Sequence, residues 1–221
     1  MNKIVELLSP TIEETIERLN AKKFKPDPIG GEHFSKIVSL MGSAYKRHGF
    51  IIEKAILESL KQNDKFIAWE TNKFYVSKVA DHLVDEAISD PSKIKGATVP
   101  YSEPAERKLQ IDALVYKKSD KSLCCYEIKR GNGLHDAGKR RSILRDAMCA
   151  EVLLKSYGEK NNLEVSTTAS HVIFYYGACS LPKPYSLTAE ELDDHFGYDI
   201  HKEVEAVNRY FKERLYKLIS G

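Results

Sequence analysis

The apolar positions of this chain change spacing as it runs, and each spacing predicts an element. Over residues 11–20, Ile12, Ile16 and Leu19 share one side of a helix, with Ser9 as the expected cap and Pro10 in its first turn. Residues 32–47 continue in helical register with Phe34, Ile37, Val38 and Met41. Gly49 is expected to break that helix, and residues 50–61 to form another. Residues 65–70 read as a short strand, residues 93–101 as extended chain. Between them residues 76–88 read as an amphipathic helix with Val76, Val79, Ala80, Leu83, Val84 and Ala87 in register.

A hairpin follows, from strands 108–116 and 123–129 around a Lys-Lys-Ser-Asp-Lys-Ser turn. Gly131, Asn132 and Gly133 end the second strand. Residues 135–157 read as a long helix centred on Ile143, Ala147, Ala150 and Leu154, and residues 170–176 as a buried strand. Thr188 and Glu191 spell a capping box, and residues 201–219 place Val204, Val207, Phe211, Leu215 and Leu218 on one helical face. Helices before, between and after the strands predict an α/β fold, a mixed central sheet flanked by helices, in a single domain.

The hairpin carries the candidate chemistry. Asp112 interrupts one apolar strand, and Glu127-Ile128-Lys129 closes the next. Charges in such strands need a partner or a function. Side chains two apart on a strand share a face, so Glu127 and Lys129 point the same way, and the hairpin can bring Asp112 beside them. Two neighbouring carboxylates favour a hard divalent cation such as Mg²⁺. The ammonium of Lys129 beside it could stabilise charge on a phosphorus, or orient or deprotonate an attacking water. The plainer alternative is a hairpin salt bridge between Asp112 and Lys129. A second triplet of this kind, Glu106-Arg107-Lys108, has no carboxylate-bearing strand ahead of it.

Composition narrows the partners. The formal net charge is +2, too small for a general basic field, so contacts to nucleic acid must come from local clusters. The four cysteines, Cys124, Cys125, Cys149 and Cys179, form no Cys-x-x-Cys pair and read as free, buried thiols in a reducing compartment. The first residues acquire charge too early for a secretory signal, and no apolar run reaches membrane-spanning length, so a cytoplasmic protein without a membrane partner is expected.

Two further features join the trio. Glu53 lies on the same helical face as Ile56, Leu57 and Leu60. It reads either as a further acid of the site or as a helix-end glutamate drawn to the positive end of the dipole. After the glycine-flanked strand exit, the first turns of the long helix carry Lys139, Arg140, Arg141 and Arg145. They read either as phosphate contacts or as a solvated face. His135 could join them or simply start the helix.

Asp112, then Glu127-Ile128-Lys129, then a basic helix, then the strand around His171 to Tyr176, resembles the PD-(D/E)XK nuclease superfamily, with its restriction-endonuclease-like fold. The resemblance covers about residues 50–176 and departs in having Ile111, not proline, before the aspartate. It implies Asp112 and Glu127 as metal ligands, Glu53 as a possible further ligand and acid, and Lys129 as the catalytic lysine. It also implies Mg²⁺ as cofactor, with Mn²⁺ able to substitute, and double-stranded DNA as substrate, cut to leave a 5′-phosphate. A compact chain of this kind looks like a Type II restriction endonuclease acting as a homodimer, its base-reading residues drawn from residues 62–68, 89–107 or 179–198. A repair or junction-resolving nuclease of the same superfamily, and a non-catalytic DNA- or partner-binding module, remain as alternatives.

Other chemistries lack support. The seven histidines form no His-x-x-x-His or His-Glu-x-x-His pattern, which argues against a zinc hydrolase. Gly30-Gly31 has neither a preceding strand nor a P-loop lysine. Among the late aromatics, Tyr175 and Tyr176 read as core, and Tyr185, Phe196 and Tyr198 as possible base-stacking residues.

Overall fold

Runs of β-branched and aromatic residues become the strands of one sheet, and the helical stripes cover its two faces. A computed structural model describes residues 2–23, 25–131 and 135–220, which leaves the Asn132-Gly133 strand exit outside the described residues. The helices are α1 (Lys3–Asn20), α2 (Gly31–Lys61), α3 (Lys78–Ala87), α4 (Ala137–Lys160), α5 (Leu192–Phe196) and α6 (Ile200–Ser220). The strands are β1 (Phe66–Val76), β2 (Arg107–Lys117), β3 (Ser122–Lys129), β4 (Thr167–Phe174) and β5 (Ser186–Thr188), in spatial order β1-β2-β3-β4-β5. The first three pair antiparallel. Then α4 carries the chain across, so that β4 runs parallel to β3 and β5 parallel to β4. The sheet is therefore mixed, as the strand and helix order predicts.

Two apolar clusters fix the layers. Ala113, Val115, Tyr126 and Ile128 pack against α1, α2 and α6. Leu114, Tyr116, Leu123 and Cys125 pack against α3 and α4. Burial of both sheet faces explains why β2 and β3 read as near-continuous apolar runs. The cysteines are free thiols, with Cys125 and Cys149 buried.

Several boundaries differ from expectation for identifiable reasons. The first helix begins at Lys3, not beyond Ser9. Asn2 caps it by accepting the Ile4 N–H at 2.8 Å. Pro10 sits inside it and cannot donate to the carbonyl of Glu6, and the Ser9 hydroxyl donates to that carbonyl at 3.0 Å instead. Gly49 does not divide α2. A helical glycine costs only about 1 kcal/mol, less than the burial of Ala44, Ile51, Ile52 and Ala55 around it contributes. Strand β1 is longer than expected, continuing to Val76, and α3 starts only after its Ser77 cap. Val79 is exposed, and the buried stripe of α3 is Ala80, Val84 and Ala87. The stretch expected to be extended begins instead as a 3₁₀ turn, Pro91–Ile94, and is tied to α4 by the Val99 N–H donating to the Val152 carbonyl at 2.8 Å. The Thr188/Glu191 capping box is present and leads into α5.

One close approach locks α4 onto β3. A β-carbon on Gly158 would run into Val165 Cγ2 and lie 3.0 Å from Leu123 Cδ2, both in the buried cluster beneath α4. Helix propensity favours alanine there by about 1 kcal/mol, but the clash is with a stiff β-branched side chain. Gly158→Ala is expected to lower stability by about 1–2 kcal/mol, read from the urea midpoint. An unchanged or raised midpoint would show that the α4–β3 contact is slack.

Candidate active site

The site forms where β2 parts from β3. Trp69 faces Leu114 and Thr71 faces Ile111, so β2 holds one more residue than β1 over this step, a bulge at Asp112–Ala113. A second irregularity between Thr71 and Phe74 compensates on β1. The bulge re-aims side chains: Ile111 packs on the α4 side with Leu114, whereas Ala113 packs on the α2 side. Among the described residues the β2–β3 ladder runs from Lys117↔Ser122 to Ala113↔Tyr126 and ends there. At the next step Asp112 Oδ2 accepts the backbone N–H of Ile128 at 2.7 Å. A side-chain carboxylate thus replaces the backbone acceptor that a continuing ladder would have supplied.

Glu127 and Lys129 share one face of β3 and are hydrogen-bonded to each other, Nζ donating to Oε1. They line a cavity of about 260 Å³ between the splayed strands and α4, together with Gln110, Lys139 and Ser170. The salt bridge that the sequence offered between Asp112 and Lys129 is not the one formed; Lys129 pairs with Glu127. Glu53 approaches from α2 and is half-buried. Because α2 starts at Gly31, Glu53 lies deep within the helix, and attraction to a helix N-terminus no longer accounts for it.

These charges perturb one another strongly. Burial, and then the nearby charge of Glu127, push Asp112 up to about 7 despite the bond from Ile128, with Glu53 adding to the rise. Burial also raises Glu53, with Glu127 adding and Lys129 opposing. Burial works against the ammonium of Lys129, but Glu127, Asp112 and Glu53 outweigh it and hold its pKa above the ordinary lysine value. Lys129 is thus bonded to Glu127 and also feels the charges of Asp112 and Glu53 in a poorly solvated fork.

The basic residues separate into two groups. Lys139, Arg140 and Arg141 are exposed at the start of α4, with Lys139 in the cavity wall. Arg145 is engaged elsewhere: its guanidinium bonds Asp85 at 2.6 and 2.8 Å and Asp81 at 2.8 Å, fastening α4 to α3. Arg107 joins this network, bridging Asp81 and Asp146. His135 is half-buried, its Nδ1 2.9 Å from the hydroxyl of Ser180. Asp136, not His135, caps α4 by accepting the Lys139 N–H at 2.9 Å. Tyr185 and Phe196 are buried and unavailable for stacking on a base, whereas Tyr176, expected in the core, is 44% exposed. Gln110 and Ser170 were not foreseen in the cavity. Gln110 precedes Asp112 by two places, which is the only sequence signal for it.

No family model matches this chain, and neither a curated protein nor a solved structure matches it.

The donor chemistry fits a hard cation. Among the described residues no three His, Cys, Asp or Glu side chains converge as a metal-holding group. Mg²⁺, however, needs only one or two protein carboxylates and fills its remaining positions with water and phosphate oxygens. Asp112 and Glu127 supply these, and their mutual repulsion is what a cation would relieve.

The same repulsion sets a pH dependence. Asp112 has its folded pKa raised above its unfolded value, so the native state retains the proton that the unfolded state releases. Its contribution to stability is therefore lost as pH rises from about 4 to about 7. Asp112→Asn should match the metal-free wild type near pH 4 and exceed it near pH 8 by on the order of a few kcal/mol, measured by urea denaturation. Parallel stability curves for the two proteins would contradict a destabilised carboxylate at this position.

Proposed function

We propose that this chain is a Mg²⁺-dependent endonuclease hydrolysing DNA phosphodiester bonds, with Mn²⁺ able to substitute. The observation that carries the reading is the strand fork, in which the bulged Asp112 accepts the N–H of Ile128, between the paired Glu127 and Lys129, and feels the charges of Glu127, Glu53 and Lys129. The mixed α/β sheet is compatible with the restriction-endonuclease-like fold. The order in which Glu53, Asp112, Glu127, Lys129 and the basic start of α4 occur supports the PD-(D/E)XK resemblance.

A bound Mg²⁺ would be held by Asp112 and Glu127, with Glu53 as a further acid, and would polarise the phosphoryl oxygen and acidify its water. The protein's own groups do the rest. Lys129 is a cation in this environment, so its part is electrostatic: it stabilises negative charge on the phosphoryl oxygens as water attacks phosphorus. The P–O3′ bond breaks, the 3′ oxygen leaves with a proton, and the attacking oxygen stays on the 5′-phosphate. Lys139, in the same cavity, and the exposed Arg140 and Arg141 hold the flanking backbone of double-stranded DNA. Site-specific cutting by a homodimer, as in a Type II restriction endonuclease, is the biological role we favour. A repair or junction-resolving role would show as cutting confined to branched or damaged DNA.

Two measurements test this. Lys129→Ala and Asp112→Ala should each reduce Mg²⁺-dependent plasmid cleavage by about 10²-fold or more while leaving DNA retention in a gel largely intact. A wild-type protein that never cuts DNA with Mg²⁺ or Mn²⁺ would end the nuclease reading and favour a non-catalytic binding module. Independently of cleavage, millimolar Mg²⁺ should raise the melting temperature of the wild type and not of Asp112→Asn; equal shifts would place any bound metal elsewhere.

A further inference from the structure

Beside α2 and α6 lies a second pocket, of about 510 Å³, at the end of the sheet. Arg130, the residue after Lys129, lines it. The guanidinium is flanked by the rings of Tyr45, 4.6 Å away, and Tyr176, 5.4 Å away. Its Nε–H donates to His48 Nδ1 at 3.0 Å, which leaves the imidazole proton on Nε2, donating to Asn208 Oδ1 at 2.9 Å. Burial lowers the pKa of His48, in keeping with a neutral ring. Asn208 in turn donates to Glu205 Oε1 at 2.8 Å, and the same oxygen accepts the Tyr175 hydroxyl at 2.8 Å. The chain of bonds aims Arg130 and engages the carboxylate of the pocket. Among the described residues no acidic side chain pairs with Arg130, Arg209 or Lys212, all of which line it.

Three cations without an acidic partner among the described residues ask for an anion, and exposed rings ask for a flat apolar surface. Tyr45 is 49% exposed and Tyr216 56%, with Lys212 Nζ 5.5 Å from the centroid of the Tyr216 ring. A guanidinium whose Nη groups make no hydrogen bond among the described residues matches phosphate oxygens in a bidentate fork, and tyrosine faces stack on bases of any sequence. The volume lies within the roughly 300–1,000 Å³ typical of small-molecule sites. We propose that this pocket binds a nucleotide, its phosphate on Arg130, Arg209 and Lys212 and its base against Tyr45 or Tyr216. The nucleotide is either free or part of a single-stranded segment of DNA next to the candidate active site. The biological sense of this rests on the nuclease reading, because Arg130 adjoins Lys129, but the binding can be measured apart from cleavage.

The test is fluorescence anisotropy of a fluorescein-labelled single-stranded DNA oligonucleotide with the full chain, without divalent metal, and with thymidine 5′-monophosphate or polyglutamate as competitor. The wild type should bind. Tyr45→Ala and Lys212→Gln, both at exposed positions, and Arg130→Gln should each weaken binding about tenfold, with far-ultraviolet circular dichroism unchanged. If Arg130→Gln fails to fold, the two exposed variants decide. Lys129→Ala should keep the affinity while losing cleavage. Displacement by thymidine 5′-monophosphate assigns the pocket to a free nucleotide; binding of the oligonucleotide without such displacement assigns it to a DNA strand. Wild-type affinity in Tyr45→Ala and Lys212→Gln, binding of neither probe, or displacement by polyglutamate as readily as by nucleotide would overturn the proposal. Cleavage by the wild type alongside unaltered binding in the pocket variants would remove the pocket and leave the nuclease; pocket-dependent binding without cleavage would do the reverse.

Discussion

The hydrogen bond from the Ile128 N–H to Asp112 is the constraint on which the site depends. A buried backbone donor left without an acceptor costs about 1–3 kcal/mol, so strands rarely separate inside a core. Here they do, because a bulge turns the Asp112 carboxylate into the gap and satisfies the donor at 2.7 Å. That one substitution of side chain for backbone opens the cavity beside α4, exposes Glu127 and Lys129 to it, and leaves a carboxylate in a poorly solvated place. A bulge without Asp112 would leave Ile128 unsatisfied, and Asp112 without a bulge would not be re-aimed into the fork.

The surrounding fold holds the fork open. The α2 side of the sheet carries Glu53 to it, and the α4 side supplies the cavity wall and Lys139. α2 is held by dense apolar packing through Ile51, Ile52 and Ala55. α4 is likewise held by apolar packing, through Met148, Val152 and Leu153, and in addition by the Gly158 approach at one end and by Arg107 and Arg145 on Asp81, Asp85 and Asp146 at the other. The ionic contacts are partly exposed, so their contribution weakens with salt while the apolar packing of both helices does not.

How much was legible follows from which forces the pattern encodes. Apolar periodicity located β2, β3, α4 and α6 because their burial is two-sided or amphipathic. It failed at Gly49 and Pro10, where packing or a neighbouring hydroxyl compensates a local breaker, and at Val79, whose register gave no hint of its exposure. Asp112, Glu127 and Lys129 stood out because charge inside apolar strands is costly. The pairing among them was not legible, since a bulge shifts register by one residue and leaves no composition signal. The Tyr45–Arg130–Tyr176 stack was hidden altogether: its members come from α2, the end of β3 and the end of β4, and each alone reads as an ordinary surface or core residue.

The Glu127–Lys129 pair then determines how the site can work. In the absence of a cation, Lys129 is the counter-charge for Glu127 and its proton is held firmly. A divalent ion on Glu127 and Asp112 would compete for the same carboxylate and leave Lys129 less well compensated. Its own pKa would then move back toward the ordinary lysine range, because the charges now raising it are the ones the metal neutralises. An ammonium freed in this way, beside a cavity large enough for a phosphate, would find its next counter-charge on a phosphodiester of the proposed substrate. On the proposed reading, Asp112 and Glu127 would tie metal occupancy to the freeing of Lys129, which is engaged with Glu127 in the structure as it stands.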